Sequence, residues 1–323
     1  MTEYWLQSEA GLRLGVLDYG ATLTALEVAV GEERRNVLLA CEPADYANQS
    51  AYLGAMVGRF ANRIGNARLE RDGQEWPVDA NEGTTCLHGG RHSLHNREWQ
   101  VAEVAADRLR LRTLLADGEQ GFPGNLAVEL EYRLEALDLV IEISATTDAP
   151  TPVNLTSHAY FNLDGGDVRD HLIRIAADHY LPTDERSIPL GKTEVEGPFD
   201  LRQTRRIGVD WQDHPQLARC RGYDHCFLLD PLPGQPAVTL ISGDRRLHMK
   251  MYTDQPGVQL YTGNWLAGTP ARGGGEWQNY QGLCLEAQQL PDSPNRPELG
   301  DPWLLPGQTY RHQTRYRLIP TDK

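Results

Sequence analysis

Five short stretches of the chain set ionisable side chains, glycine and asparagine into sequence that otherwise reads as β-strand. GRFANRI (residues 58–64) carries Arg59, Asn62 and Arg63, and CLHGG (86–90) puts His88 before two glycines. VNLTSHAYFNLDG (153–165) holds Asn154 and His158, GYDHCFLL (222–229) holds Asp224, and GLCLEAQQLPDSPN (282–295) holds Glu286. Histidines and carboxylates are the side chains that most often move protons near neutral pH. Side chains alternate across a strand. Val153, Leu155, Ser157, Ala159 and Phe161 are therefore expected on one face, with Asn154, Thr156, His158 and Tyr160 on the other. Leu283, Leu285 and Ala287 alternate with Cys284, Glu286 and Gln288, which turns Glu286 away from the apolar side. Taken singly, each residue has an ordinary structural role: a packed histidine, a solvated glutamate, Arg59 in an ion pair, Asp224 in a turn beside Gly222. Chemistry requires that they converge in space.

Other chemistries have weaker support. His88, His92 and His95 in LHGGRHSLH lie close together, but no cysteine or carboxylate joins them at zinc-motif spacing, so no metal is expected. No GxxxxGK[ST] or GxGxxG cradle occurs, and GTPARGGG (268–275) lacks a strand-to-helix context. There is no GxSxG for a serine nucleophile.

The elements that must position these residues are strands. Period-two patterns recur from end to end: TLTALEVAV from Thr22, RLRLRTLLA from Arg108, LAVELEYRL from Leu126, and the alternation of Leu137, Leu139, Ile141 and Ile143. RLHMKMYTD from Arg246, GVQLYTG from Gly257 and YRHQTRYRLI from Tyr310 continue the series, mostly bounded by turn residues. The spacing allows one short helical turn over residues 44–49 and little other helix. Neither a linker nor a 20–50-residue repeat interrupts the chain. The reading is all-β: one large antiparallel β-sandwich or barrel-like domain, with two smaller β-domains as the alternative.

Composition narrows the partners. The chain has 323 residues, 40% of them hydrophobic, and a formal charge of -14. That charge argues against nucleic acid or an anionic membrane as a partner. Five cysteines without CxxC spacing read as structural thiols. The start lacks the basic-then-apolar pattern of a secretion signal, and no apolar run nears membrane-span length, so a cytoplasmic protein is expected.

Taken together and in this order, the five stretches resemble the aldose 1-epimerases, also called galactose mutarotases. The resemblance covers nearly the whole chain and includes YTGN (261–264), QGFPGN (120–125) and YLPTDERSIPLG (180–191). It implies a single domain over residues 1–323, a large antiparallel β-sandwich of the galactose mutarotase-like supersandwich type, with an open cleft for one monosaccharide. It implies no cofactor and no metal, and a monomer or weak homodimer. Carried over by motif, Glu286 is the general base and His158 the general acid. Arg59, His88 and Asp224 bind and orient the sugar, with Asn62 and Asn154 in supporting roles.

The residue types suit that reaction. An aldose changes anomer when its C1 hydroxyl loses a proton, its ring oxygen gains one, the ring opens, the C1–C2 bond rotates, and the ring closes again. One acid and one base suffice, each typically contributing about 10²–10⁴-fold. With ordinary pKa values, Glu286 is ionised and His158 partly protonated at pH 7, and Asp224 or Glu286 is expected close to His158 to favour its charged form. Three rivals remain: a glycoside hydrolase using Asp224 and Glu286, a non-catalytic sugar-binding module, and an epimerase of hexose 6-phosphates that would use Arg202, Arg205 and Arg206. The preferred sugar could turn on one hydrogen-bonding side chain facing C4.

Overall fold

The computed structural model describes residues 1–321, and these are built almost wholly of antiparallel strands. The largest sheet has nine strands in the order Gln100–Val104, Arg108–Leu115, Leu126–Glu135, Asp138–Thr147, Tyr310–Pro320, Leu247–Thr253, Val238–Ile241, Leu172–Ile175 and Arg205–Arg206. Alternation dictates its inner face. Leu126, Val128, Leu130, Tyr132 and Leu134 are buried, while Ala127 is exposed and Glu129 and Arg133 are half-buried on the outer face. Opposite charges meet across that outer face, Arg112 with Glu129 at 2.8 Å and Arg133 with Glu142 at 3.1 Å. Such exposed pairs stabilise little, but a one-residue slip would both separate them and turn the leucines to solvent.

A six-stranded sheet packs against the large one. Its order is Tyr160–Phe161, Leu283–Gln288, Gly257–Tyr261, Asp224–Leu228, His179–Leu181 and Thr193–Glu194. Phe227, Val258, Leu260, Leu283 and Leu285 from this sheet share one core with Leu130, Ile141, Met249 and Leu318 from the other. Each such side chain contributes about 1.5–3 kcal/mol when fully buried. A four-stranded meander, Glu3–Gln7, Arg13–Leu17, Thr22–Val30 and Glu33–Asn36, adds Leu14, Leu23 and Val28 to the same core. The antiparallel sandwich expected from the sequence is the observed architecture, and its strands fall on the alternating segments.

Two local expectations need correction. Residues 44–49 form turns and no helix; the one α-helix among the described residues is Pro215–Cys220. It has proline in its first turn, a His214 side chain accepting from the Gln216 N–H, and Arg221 closing it at φ 57°. Six residues are too few for a 3.6-residue period to stand out. Residues 153–161 do not form one two-faced strand. Thr156–Ser157 pairs with Met56–Val57, whereas Tyr160–Phe161 pairs with Leu283 and Cys284 in another sheet. Because the chain changes sheet between them, every residue from 151 to 163 is buried, polar and apolar alike. All five cysteines are buried free thiols, as expected of structural ones.

Candidate active site

Strand register puts the chemistry on one face of the six-stranded sheet. Gln259 pairs with Glu286, Cys226 with Gln259, Asp224 with Tyr261, and Tyr261 with Cys284. Cross-strand partners share a face, so Asp224, Gln259, Tyr261, Cys284 and Glu286 all project from the side opposite Leu285 and Val258. There Asp224, Tyr261 and Glu286 meet a cavity of about 600 Å³ also lined by Asn62, Arg63, His88 and His158, with Tyr52, Tyr160 and Trp265 among its walls. That volume suits a small-molecule site.

The other wall comes from short segments bent by unusual backbone. Asn62 and His88 have φ of 64° and 52°. Each is tied to the other: the His88 N–H donates to the Asn62 carbonyl at 3.2 Å, and the Asn62 N–H donates to His88 Nδ1 at 3.1 Å. Gly89 follows at φ +83°, where an added Cβ would collide with the Arg59 amide nitrogen and the Gly58 carbonyl. This close approach explains the first glycine of CLHGG. The His158 ring faces both walls, its centroid 5.3 Å from that of His88 and 5.2 Å from that of Tyr160.

Within the cavity, His158 Nε2 lies 3.8 Å from Glu286 Oε1. Glu286 Oε2 and Gln259 Oε1 are buried without a hydrogen-bond partner. Asp224 accepts from the Gln259 amide at 2.7 Å and stands 4.0 Å from Arg63, which also grips Glu82 with two hydrogen bonds of 2.7 and 2.9 Å. Burial opposes the Arg63 charge, but Asp224 and Glu82 together hold its pKa above the ordinary value.

Desolvation governs the pair. It pushes Glu286 up to about 8, aided by the Asp224 charge and opposed by Arg63. It pushes His158 down to about 4, although its backbone carbonyl and Asp224 pull upward. His88 lies well below its ordinary value, first through burial and then through the charges of His158 and Arg63. The expectation of an ionised glutamate beside a partly protonated histidine is thus inverted in the free site. A sequence carries no information on how much water each group loses.

His88, His158 and Glu286 offer ligand atoms within 4.8 Å of one another, a spacing that could hold a metal ion. The hydrogen bonding argues against it. With Nδ1 accepting from the Asn62 N–H, neutral His88 carries its hydrogen on Nε2 and has no lone pair left to give a metal. His92 is exposed and does not join the group.

Of the residues singled out in the sequence, His88, His158, Asp224, Glu286 and Asn62 come together at the cavity. Arg59 and Asn154 do not. The Arg59 guanidinium is buried (1% exposed) and donates to the carbonyls of Leu115, Ala116, Pro123 and Gly124 and to the Thr151 hydroxyl. Asn154 spends its amide on Ala61 and Gln289 backbone. Both are frame residues, and the sugar-binding expectation for them is corrected. The arginine of GRFANRI that reaches the cavity is Arg63, whose neighbour Ile64 is fully buried; alternation about Ile64 is the signal that distinguishes it. Tyr52 and Tyr261 carry no such signal, because only the fold brings them to the cavity, and Gln259, which holds Asp224, carries none either. Arg202, Arg205 and Arg206 are paired with Asp200, Asp210 and Asp170 and do not line it.

The antiparallel β-sandwich described above is the fold of the galactose mutarotase-like proteins. A solved aldose epimerase homologue from C. elegans superposes with a TM-score of 0.92 at 25% identity, over 99% of this chain and 100% of that one. A galactose 1-epimerase from Lactobacillus acidophilus gives 0.87 at 30% identity, over 99% and 95%. The family model described as aldose 1-epimerase matches residues 2–317. Among curated relatives, the aldose 1-epimerase of Escherichia coli (strain K12) is 41% identical over 97% of this chain and 94% of its own length. The galactose mutarotase of Homo sapiens is 36% identical over 98% and 93%. The chain belongs to the aldose 1-epimerase family. It is an isomerase that interconverts the α and β anomers of an aldose. Among the described residues, no helix is long and apolar enough to cross a membrane.

Proposed function

We propose that the substrates are free aldohexoses such as D-galactose and D-glucose, and that Glu286 and His158 carry the protons. The observation that supports this most is the 3.8 Å approach of His158 Nε2 to Glu286 Oε1 inside the cavity. Burial favours one shared proton on the pair at neutral pH, whether as neutral acid and imidazole or as carboxylate and imidazolium. The second arrangement contains the same protons and is favoured by attraction between its charges and by a sugar hydroxyl donating to the carboxylate. From it, Glu286 takes the C1 hydroxyl proton while His158 gives its Nε2 proton to the ring oxygen. The ring opens, C1–C2 rotates, and the reverse transfers close it on the other face.

The second histidine has a different task. His88 cannot act as an acid without becoming an imidazolate, since its Nδ1 is occupied by the Asn62 N–H and burial keeps it neutral. It is suited to donate a fixed Nε2 hydrogen bond to a sugar oxygen. Asp224 and Arg63 supply an acceptor and a donor for sugar hydroxyls, and Asn62 supports them by fixing His88. Arg202, Arg205 and Arg206 pair with carboxylates and do not line the cavity, so they give no hold there on a C6 phosphate, which favours free sugars. We propose a monomer or weak homodimer, tested by sedimentation.

Polarimetry on freshly dissolved α-D-galactose and α-D-glucose tests the reading. The wild-type chain is expected to speed the approach to an unchanged final rotation, and Glu286→Gln to lose about 10²-fold or more of that rate. A folded wild-type chain inert on both sugars would overturn the substrate proposal. A fully active Glu286→Gln would overturn the base.

A further inference from the structure

The Leu283–Gln288 strand meets the His158 ring at both nitrogens. Cys284 and Glu286, two residues apart, lie on one face of it. Glu286 Oε1 stands 3.8 Å from Nε2, and Cys284 Sγ stands 3.5 Å from Nδ1. The mechanism above uses the first contact and leaves the second without a role.

We propose that Cys284 is a positioning residue whose sulfur accepts the Nδ1–H of neutral His158, leaving Nε2 bare and facing Glu286. This rests on the reading that Glu286 and His158 exchange a proton. Hydrogen-bond direction carries the argument. Cys284 is fully buried, and burial pushes its thiol well above the ordinary range, so the sulfur keeps its hydrogen. Tyr160 pairs with Cys284 across the two strands, which sets its side chain on the same face as that thiol. Tyr160 spends its own O–H on the Ala51 carbonyl at 3.0 Å, so its oxygen is left to accept the S–H. The sulfur then offers a lone pair to Nδ1. A hydrogen on Nε2 instead would set the Nδ1 lone pair against the sulfur lone pair.

The tautomer matters because Nε2 must be free to take the proton from Glu286 before passing it to the sugar. A carboxylate behind the ring would fix the same tautomer but would also hold the imidazolium. A neutral thiol fixes it without holding charge, so the ring gives the proton up readily.

The test is nitrogen-15 NMR of the imidazoles in the full chain near pH 7, with His158 assigned by its loss in His158→Asn. Wild-type His158 is expected to show a protonated Nδ1 and a bare Nε2. Cys284→Ala should shift it toward a tautomer mixture and lower kcat about three- to tenfold, the worth of one buried hydrogen bond, with KM changed less than about twofold. Cys284→Ser, which restores an acceptor and a donor, should recover most of that loss. Wild-type His158 protonated on Nε2 would overturn the proposal, as would Cys284→Ala with unchanged tautomer and kcat. Should Cys284→Ala fail to fold, the wild-type spectrum still decides. Neither result bears on the acid–base pair itself, which stands or falls with the polarimetry of Glu286→Gln.

Discussion

Keeping a proton on Glu286 has a stability consequence as well as a catalytic one. Its carboxyl moves from an ordinary 4.5 to about 8, chiefly because water is excluded. The folded chain therefore holds this proton more tightly than the unfolded chain does. The resulting contribution to folding is complete below pH 4.5 and disappears as the pH rises through about 8. His158, depressed from 6.5 to about 4, acts oppositely: its contribution is present above 6.5 and is lost as the pH falls toward 4. The two slopes oppose each other between 4.5 and 6.5, and only the glutamate slope remains from 6.5 to 8. We expect the pair to cost the wild-type chain on the order of 1–2 kcal/mol across that upper window, and Glu286→Gln to lose most of that decline. Melting curves taken at half-unit pH steps check this, and parallel curves for the two proteins would sink it. The residue types at 158 and 286 were legible in the sequence, and so was the outward turn of Glu286. Their protonation was not, because it depends on burial by strands far away in the chain.

At the scale of elements, regular strands were legible and short irregular ones were not. Thr22–Val30, Leu126–Glu135 and Tyr310–Pro320 alternate over nine or more residues and match their segments. GRFANRI fails the same method because Arg63–Ile64 is a two-residue strand and the stretch before it is irregular. Arg59 and Arg63, four apart in one motif, consequently end in different environments: one guanidinium binds backbone carbonyls of the 115–124 turn, the other meets Asp224 and Glu82 at the cavity. Substitution should separate them. Arg59→Met strands those carbonyls and should cost about 2–4 kcal/mol of stability, with kcat/KM of the folded fraction within about twofold of wild type. Arg63→Met should lower kcat/KM by about tenfold or more by removing a charged hydrogen-bond donor from the sugar's site. Denaturant titration beside mutarotation assays reads both quantities. The reverse pattern, with Arg59 governing kcat/KM, would restore Arg59 as the sugar-binding arginine.

At the scale of the whole molecule, the order of strands in the nine-stranded sheet decides how the chain must fold. Residues 100–147 build one flank as a meander, and strands between residues 172 and 253 build the other. Tyr310–Pro320, the last strand described, lies between them, pairing with Asp138–Thr147 on one side and Leu247–Thr253 on the other. No cut of the chain into two segments leaves each with its own complete sheet. The largest buried cluster accordingly draws on residues from Leu6 to Leu318. Antiparallel strands were readable from period two, but this interleaving was not, since alternation fixes a strand's faces and says nothing of its neighbours. We propose that the chain folds as one domain, in place of the two smaller β-domains that the sequence alone left open. Unfolding in urea should then give one transition that coincides by far-ultraviolet circular dichroism and tryptophan fluorescence. Removal of residues 310–323 should abolish folding altogether, because both flanks would expose unpaired edges and the apolar faces of Tyr316 and Leu318 would be lost to the core. Two separated transitions, or a truncated chain that keeps a cooperative β-sheet signal, would mean that one flank is an independent unit.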